Sequence, residues 1–303
     1  MMTGKDNMMI RGFATIAALT ACLAEGSGSF ALDRKPYAES EKVQVRSSTS
    51  PCSQRLPLVR QASFDPSLPA EEALESAMEA QRFLGVEENV EIVPPEGAEG
   101  GFLRVRYPED SVNFGSSKEG LPLGGASFYV PFSAGKESCV HYRVRFPADF
   151  DFVKGGKLPG LYAGEAPSGG EKVSGKNGWS VRLMWRENGD GELYEYIFNK
   201  KGKSGLSAGR GAFSFPRGRW VEIDLEVVVN DPDRRNGVAR LWIDGRAVIE
   251  QHDIVYTTDD DGETEGGLMF STFFGGDDDS WASPKDQHVD FGDFRLHARE
   301  PAR

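Results

Sequence analysis

The segment WSVRLMWRENGDGELYEYIF (179–198) constrains the fold of this chain more than any other. Polar and apolar residues alternate on both sides of a turn signal, the pattern of two half-buried strands. Period-two geometry puts Ser180, Arg182 and Met184 on one face of the first strand, opposite Trp179, Val181, Leu183 and Trp185. On the second strand Glu192, Tyr194 and Tyr196 share a face, opposite Leu193, Glu195 and Ile197. Asn188-Gly189 and Asp190-Gly191 both favour a tight hairpin. Folding about Asn188 sets Arg182 opposite Tyr194 and Ser180 opposite Tyr196. A guanidinium, a hydroxyl and two phenols then converge, with Lys157 arriving from a glycine-rich loop, Gly155 to Gly160. Such a patch suits chemistry on an anionic substrate.

Strand-like runs recur elsewhere. They are Phe102–Tyr107, Ala126–Phe132, Cys139–Phe146, Trp220–Val229, a pair around Asp244-Gly245, Gly267–Phe274 and His288–His297. With 36 glycines in 303 residues and little helical periodicity, this reads as an all-β protein, a two-sheet β-jelly roll. The one helix expected is short and N-terminal, Pro69 to Leu84, with Pro69 at its start and Glu71 and Glu72 in its first turn. Residues 66–303 are expected to form this domain, and the polar, aperiodic 32–65 a disordered linker. Residues 1–31 read as an export leader, with Lys5 and Arg11 flanking an apolar run too short to span a bilayer. Leu19-Thr20-Ala21-Cys22 is a lipoprotein-type cleavage box that would leave Cys22 as a lipid anchor. Cleavage after Ala31 is the alternative, and both place the protein outside the cytoplasm. Cys52 and Cys139 remain in either case. They form one disulfide in an oxidising compartment, or stay as a buried thiol and a linker thiol.

A net charge of -12 argues against nucleic-acid partners. The four histidines show no metal-ligand spacing, the acidic runs Asp259–Asp261 and Asp277–Asp279 fit no EF-hand loop, and no nucleotide fingerprint is present. Neither a metal nor an organic cofactor is expected, and the expected state is a monomer.

GGKLPGLYAG, WSVRLMW, ELYEY and STFFGG-x-x-x-SWASPKDQ, in this order over residues 90–298, resemble polysaccharide lyase family 14. Members of that family cleave alginate or related polyuronates by β-elimination, and the glucuronan lyases share their architecture. The resemblance implies a concanavalin A-like sandwich and an acidic polysaccharide substrate. It also implies functional roles for Lys157, Ser180, Arg182, Tyr194 and Tyr196. β-Elimination requires that a uronate carboxylate be neutralised, its C5 proton abstracted and the leaving O4 protonated. Arg182 and Lys157 supply cations for the first step. A phenol titrates near ~10, and a cation within ~4–6 Å would lower that. Tyr194, beside Arg182, is the first choice as base and then acid, and Tyr196 the second.

Substrate-binding subsites are expected at His141 and Arg143, if their strand lines the same sheet, and at Lys285 and Gln287 on the rim. Two other readings compete. The patch could grip a polysaccharide without cleaving it. Alternatively, Glu222, Asp224 and Glu226, which share one strand face, could act as the carboxylates of a β-glucanase.

Overall fold

The computed structural model describes residues 43–44, 49–95, 101–114, 120–132, 135–258, 265–276 and 278–299. The leader with Cys22, the run 259–261 and Asp277 lie outside these residues. In chain order the strands are β1 (Val43–Gln44), β2 (Leu58–Gln61), β3 (Gln81–Leu84), β4 (Val90–Val93), β5 (Phe102–Tyr107), β6 (Ala126–Phe132), β7 (Glu137–Arg145) and β8 (Gly155–Gly164). They continue as β9 (Gly178–Arg186), β10 (Asp190–Tyr196), β11 (Leu206–Ser214), β12 (Trp220–Val228), β13 (Gly237–Ile243), β14 (Arg246–Ile254), β15 (Gly266–Phe274) and β16 (Gln287–Arg299). The helices are α1 (Ala70–Met78) and the single turn α2 (Val86–Asn89).

The strands form two antiparallel sheets, as expected for a jelly roll. One has nine strands in the order β1-β14-β13-β12-β7-β16-β5-β4, with β2 also pairing with β16. The other has seven, in the order β11-β10-β9-β8-β15-β6-β3. Alternation decides which side chains fill the sandwich. Val140, Tyr142 and Val144 of β7 and Val221, Ile223, Leu225 and Val227 of β12 pack inward from the larger sheet. They meet Trp179, Val181, Leu183 and Trp185 of β9 and Leu268, Phe270 and Phe274 of β15. Removing these side chains from water is the main source of stability, at roughly 25 cal/mol per Å² of apolar surface.

Three expectations are corrected. The Lys157 segment is not a loop: Gly155–Gly164 is the long strand β8, hydrogen-bonded on both sides inside its sheet. The helix ends at Met78, because Glu79 turns left-handed (φ 56°), and Gln81–Leu84 extends as β3. The part of the presumed linker at 49–61 is held against the larger sheet. Cys52 is bonded to Cys139 of β7, Leu56 is buried with Trp242, and β2 pairs with β16.

Candidate active site

The hairpin forms in the register read from Asn188: Arg182 lies opposite Tyr194 and Ser180 opposite Tyr196. Asn188 (φ 62°) and Gly189 (φ 85°) make the left-handed turn, whereas Asp190-Gly191 already belongs to β10. On β8, Lys157 pairs with Met184 and Gly160 with Arg182. Met269 of β15 lies opposite Gly160, Tyr129 of β6 opposite Met269, and Gln81 of β3 opposite Tyr129. One row, Tyr194–Arg182–Gly160–Met269–Tyr129–Gln81, therefore crosses the smaller sheet on the side away from the core.

Gly160 matters for sterics. A Cβ there would lie 2.0 Å from the Val181 carbonyl oxygen, so β8 and β9 approach this closely only with glycine. The position also carries nothing that would block Arg182. The Arg182 guanidinium crosses β8 and donates to Ser271 Oγ of β15 at 3.5 Å. It is only 2% exposed, its Nε has no hydrogen-bond partner, and it meets no carboxylate among the described residues. Burial pulls its pKa down, while Tyr196, Tyr129 and Tyr194 push it back up. An isolated buried charge is expensive, by several kcal/mol, and no carboxylate among the described residues offsets that cost here.

Lys157, 9% exposed, places its Nζ 2.7 Å from Met184 Sδ and 3.8 Å from the centre of the Tyr194 ring. The Tyr194 and Tyr196 rings sit edge to face, 6.0 Å apart. Each phenol oxygen accepts a backbone N–H, Tyr194 from Gly205 at 3.0 Å and Tyr196 from Gly170 at 2.8 Å. Two loops are thereby pinned to the tyrosines. Burial raises the Tyr194 pKa above the ordinary phenol value, and the neighbouring Tyr196 adds to this. The Gly205 N–H and Arg186 pull the other way without prevailing. The lowering expected from nearby cations is thus outweighed by desolvation. Ser180 is fully buried and donates to the Pro167 carbonyl at 2.6 Å, so it fastens a loop over the site.

The other sequence candidates lie elsewhere. His141 and Arg143 are on β7 in the larger sheet, alternating with core residues, so their side chains leave from the opposite side of the sandwich. His141 bridges Asp224 at 3.2 Å and Asp293 at 3.6 Å, and Arg143 lies 5.1 Å over the Trp220 ring. Lys285 pairs with Asp149 at 2.6 Å, and Gln287 is held between Asp151 and Ser283. The three acids of β12 do share a face, but on that same larger sheet. Asp224 faces His141, Glu226 is bound by Arg55 and by Arg240 at 2.8 Å, and Glu222 is exposed.

Sequence reading missed the site's flanks. On one side, buried Glu192 is gripped by Arg186 at 2.9 Å and by Arg210 at 2.8 Å, with Ser207 at 3.1 Å. On the other lie Tyr129, Tyr162, Met269 and Ser271. Alternation within β6 and β15 carried the signal, but only the strand order brings these residues beside Arg182.

The sequence profile described as Polysaccharide lyase 14 matches residues 96–294, more than half of the chain and all five residues of the cluster. This chain belongs to polysaccharide lyase family 14. Solved structures agree with that assignment. The marine PL-14 alginate lyase from Aplysia kurodai is 27% identical, with a TM-score of 0.68 over 80% of this chain and 100% of that one. The alginate lyase vAL-1 from a Chlorella virus is 21% identical (TM-score 0.65, 80% and 100% covered). A substituted alginate lyase Aly36B in complex with an alginate tetrasaccharide is 22% identical (TM-score 0.66, 86% and 100% covered). The last two likenesses concern the fold. No curated protein matches the sequence. The enzyme is a polysaccharide lyase with the jelly-roll sandwich of its family.

Proposed function

We propose that this lyase cleaves a 4-linked uronate polymer, alginate or glucuronan, by β-elimination, with Tyr194 as the group that moves the proton. The observation that carries the reading is the buried Arg182 guanidinium, which faces three phenols and, among the described residues, no carboxylate. A uronate carboxylate supplies the missing anion. Arg182 and Lys157 then stabilise the enolate-like charge that builds as the C5 proton leaves, which is the dominant demand of such a reaction. Tyr194 stands against Lys157 and accepts the Gly205 N–H, two interactions that favour its phenolate against the burial that disfavours it. It takes the C5 proton as the C4–O4 bond breaks, and returns a proton to the leaving O4. The Cys52–Cys139 disulfide supports the further reading that the enzyme works outside the cytoplasm, freely or anchored at Cys22.

The test is incubation with alginate, glucuronan and a neutral β-glucan, following ultraviolet absorbance of the unsaturated product and new reducing ends. Unsaturated ends from a polyuronate support the proposal. Reducing ends without unsaturation would indicate hydrolysis, and binding with no new ends would indicate a lectin-like role; either defeats it. Tyr194→Phe should lower turnover by about 10²–10⁴-fold with binding retained. A base must be deprotonated to act, and the Tyr194 pKa is raised, so kcat/KM should climb with pH into the alkaline range. Retention of more than a tenth of wild-type turnover by the Phe variant would remove Tyr194 from the role.

A further inference from the structure

Beyond the catalytic cluster, the same sheet face continues to β3, which precedes the family match at residue 96. There Arg82 takes a left-handed backbone (φ 59°), which a non-glycine residue adopts at a cost. The register of β3 with β6 shifts between Gln81 and Leu84. Arg82 is exposed, holds its guanidinium 5.3 Å over the ring of Tyr129, and pairs with no carboxylate among the described residues. Tyr129 packs edge to face on Tyr162 at 5.1 Å, over an apolar floor of Met269 and Ala166. The Tyr162 hydroxyl is buried without a hydrogen-bond partner among the described residues. Tyr129 feels both Arg82 and Arg182, so the two guanidinium groups flank one continuous patch; Glu171 and Glu265 are the acids within reach of its phenols.

We propose that Arg82, with Tyr129 and Tyr162, forms a distal subsite that binds the carboxylate and ring hydroxyls of a uronate unit beyond the pair flanking the cleaved bond. The inference rests on the polyuronate reading above. A planar guanidinium suits a carboxylate, and the tyrosines supply hydroxyl partners beside it. β6 lies four strand spacings from β10, which carries Tyr194, about 19 Å at the usual ~4.8 Å per strand. Only a chain longer than the two reacting sugars therefore reaches it.

The experiment is a kinetic comparison of wild type, Arg82→Gly and Arg82→Lys on a polyuronate and on the shortest oligouronate the enzyme cleaves. Glycine is the informative replacement because it suits a positive φ, so the fold and melting temperature should hold while the cation is lost. For Arg82→Gly, KM on the polymer should rise about tenfold, the loss of one charge-assisted contact. On the shortest oligomer it should rise less than about twofold, and Arg82→Lys should recover part of the polymer loss. An unchanged polymer KM, or an equal loss at every chain length, would overturn the subsite. So would a fall in kcat that tracks a lower melting temperature. A wild-type enzyme that releases no unsaturated product from any polyuronate would overturn the substrate reading itself, and the subsite with it. That result is seen before any variant is made.

Discussion

The two outward faces of the sandwich treat charge in opposite ways. On the larger sheet three buried ions come with counter-ions. His141 sits between Asp224 and Asp293, Glu226 between Arg55 and Arg240, and Asp290 between Arg104 and Arg145. A segment from Thr49 to Leu58 closes over part of this face. Trp242 Nε1 donates to the Thr49 carbonyl, and His297 Nδ1 lies 3.0 Å from the Leu56 carbonyl. On the smaller sheet Arg182 is as deeply buried, yet its neighbours are phenols, a serine and a glycine. Matched charges hold a structure together. An unmatched one stores a desolvation cost that only a ligand relieves.

The contrast can be broken at four points. Arg182→Met should lower turnover about 1000-fold, as loss of a key electrostatic donor does, while thermal unfolding shows a melting temperature no lower than wild type. A collapse of stability along with activity would make Arg182 a structural residue after all. Arg240→Met should behave in reverse, costing about 4 kcal/mol in chemical denaturation because it strips a counter-ion from Glu226, with kcat unaltered. Cys139→Ser removes a link between residues 87 apart and should cost about 3 kcal/mol, read by denaturant titration at a temperature where activity is still full.

The last effect is tied to pH. Burial disfavours a charged His141, but Asp224 and Asp293 outweigh it and raise the pKa from 6.5 to about 9. The folded value lies above the unfolded one. The stabilisation is therefore complete below pH 6.5 and disappears as pH rises through about 9. Its size is about 3 kcal/mol. Melting curves across that window should flatten in His141→Gln, and an equal slope in both proteins would dismiss the pair as the cause.

How much of this was legible in the sequence depended on the range of the interaction that decides each element. The β9–β10 register followed from the position of one Asn-Gly, because a hairpin is local. The strands β5 and β6 were legible to the residue, since alternation is local too. β8 was not, because Gly155, Gly156, Pro159 and Gly160 resemble a loop until the neighbouring strands that require small residues are known. The segment 49–61 has no periodicity, and what holds it is a distant cysteine and distant ions. Lys157, Arg182, Tyr194 and Tyr196 come together through their sheet order, while His141 and Arg143 alternate just as regularly on the other sheet. Alternation tells which residues share a face, not which face meets the substrate.

The disulfide reaches outside the stretch that defines the family: Cys139 lies within 96–294, and its partner Cys52 does not. A version trimmed to the family boundaries would leave a lone thiol on β7, uncover the polar groups that Thr49 to Leu58 now shelter, and lose the strand that carries Arg82. The unit recognised by homology is smaller than the unit that folds, and expression designs should begin no later than Thr49.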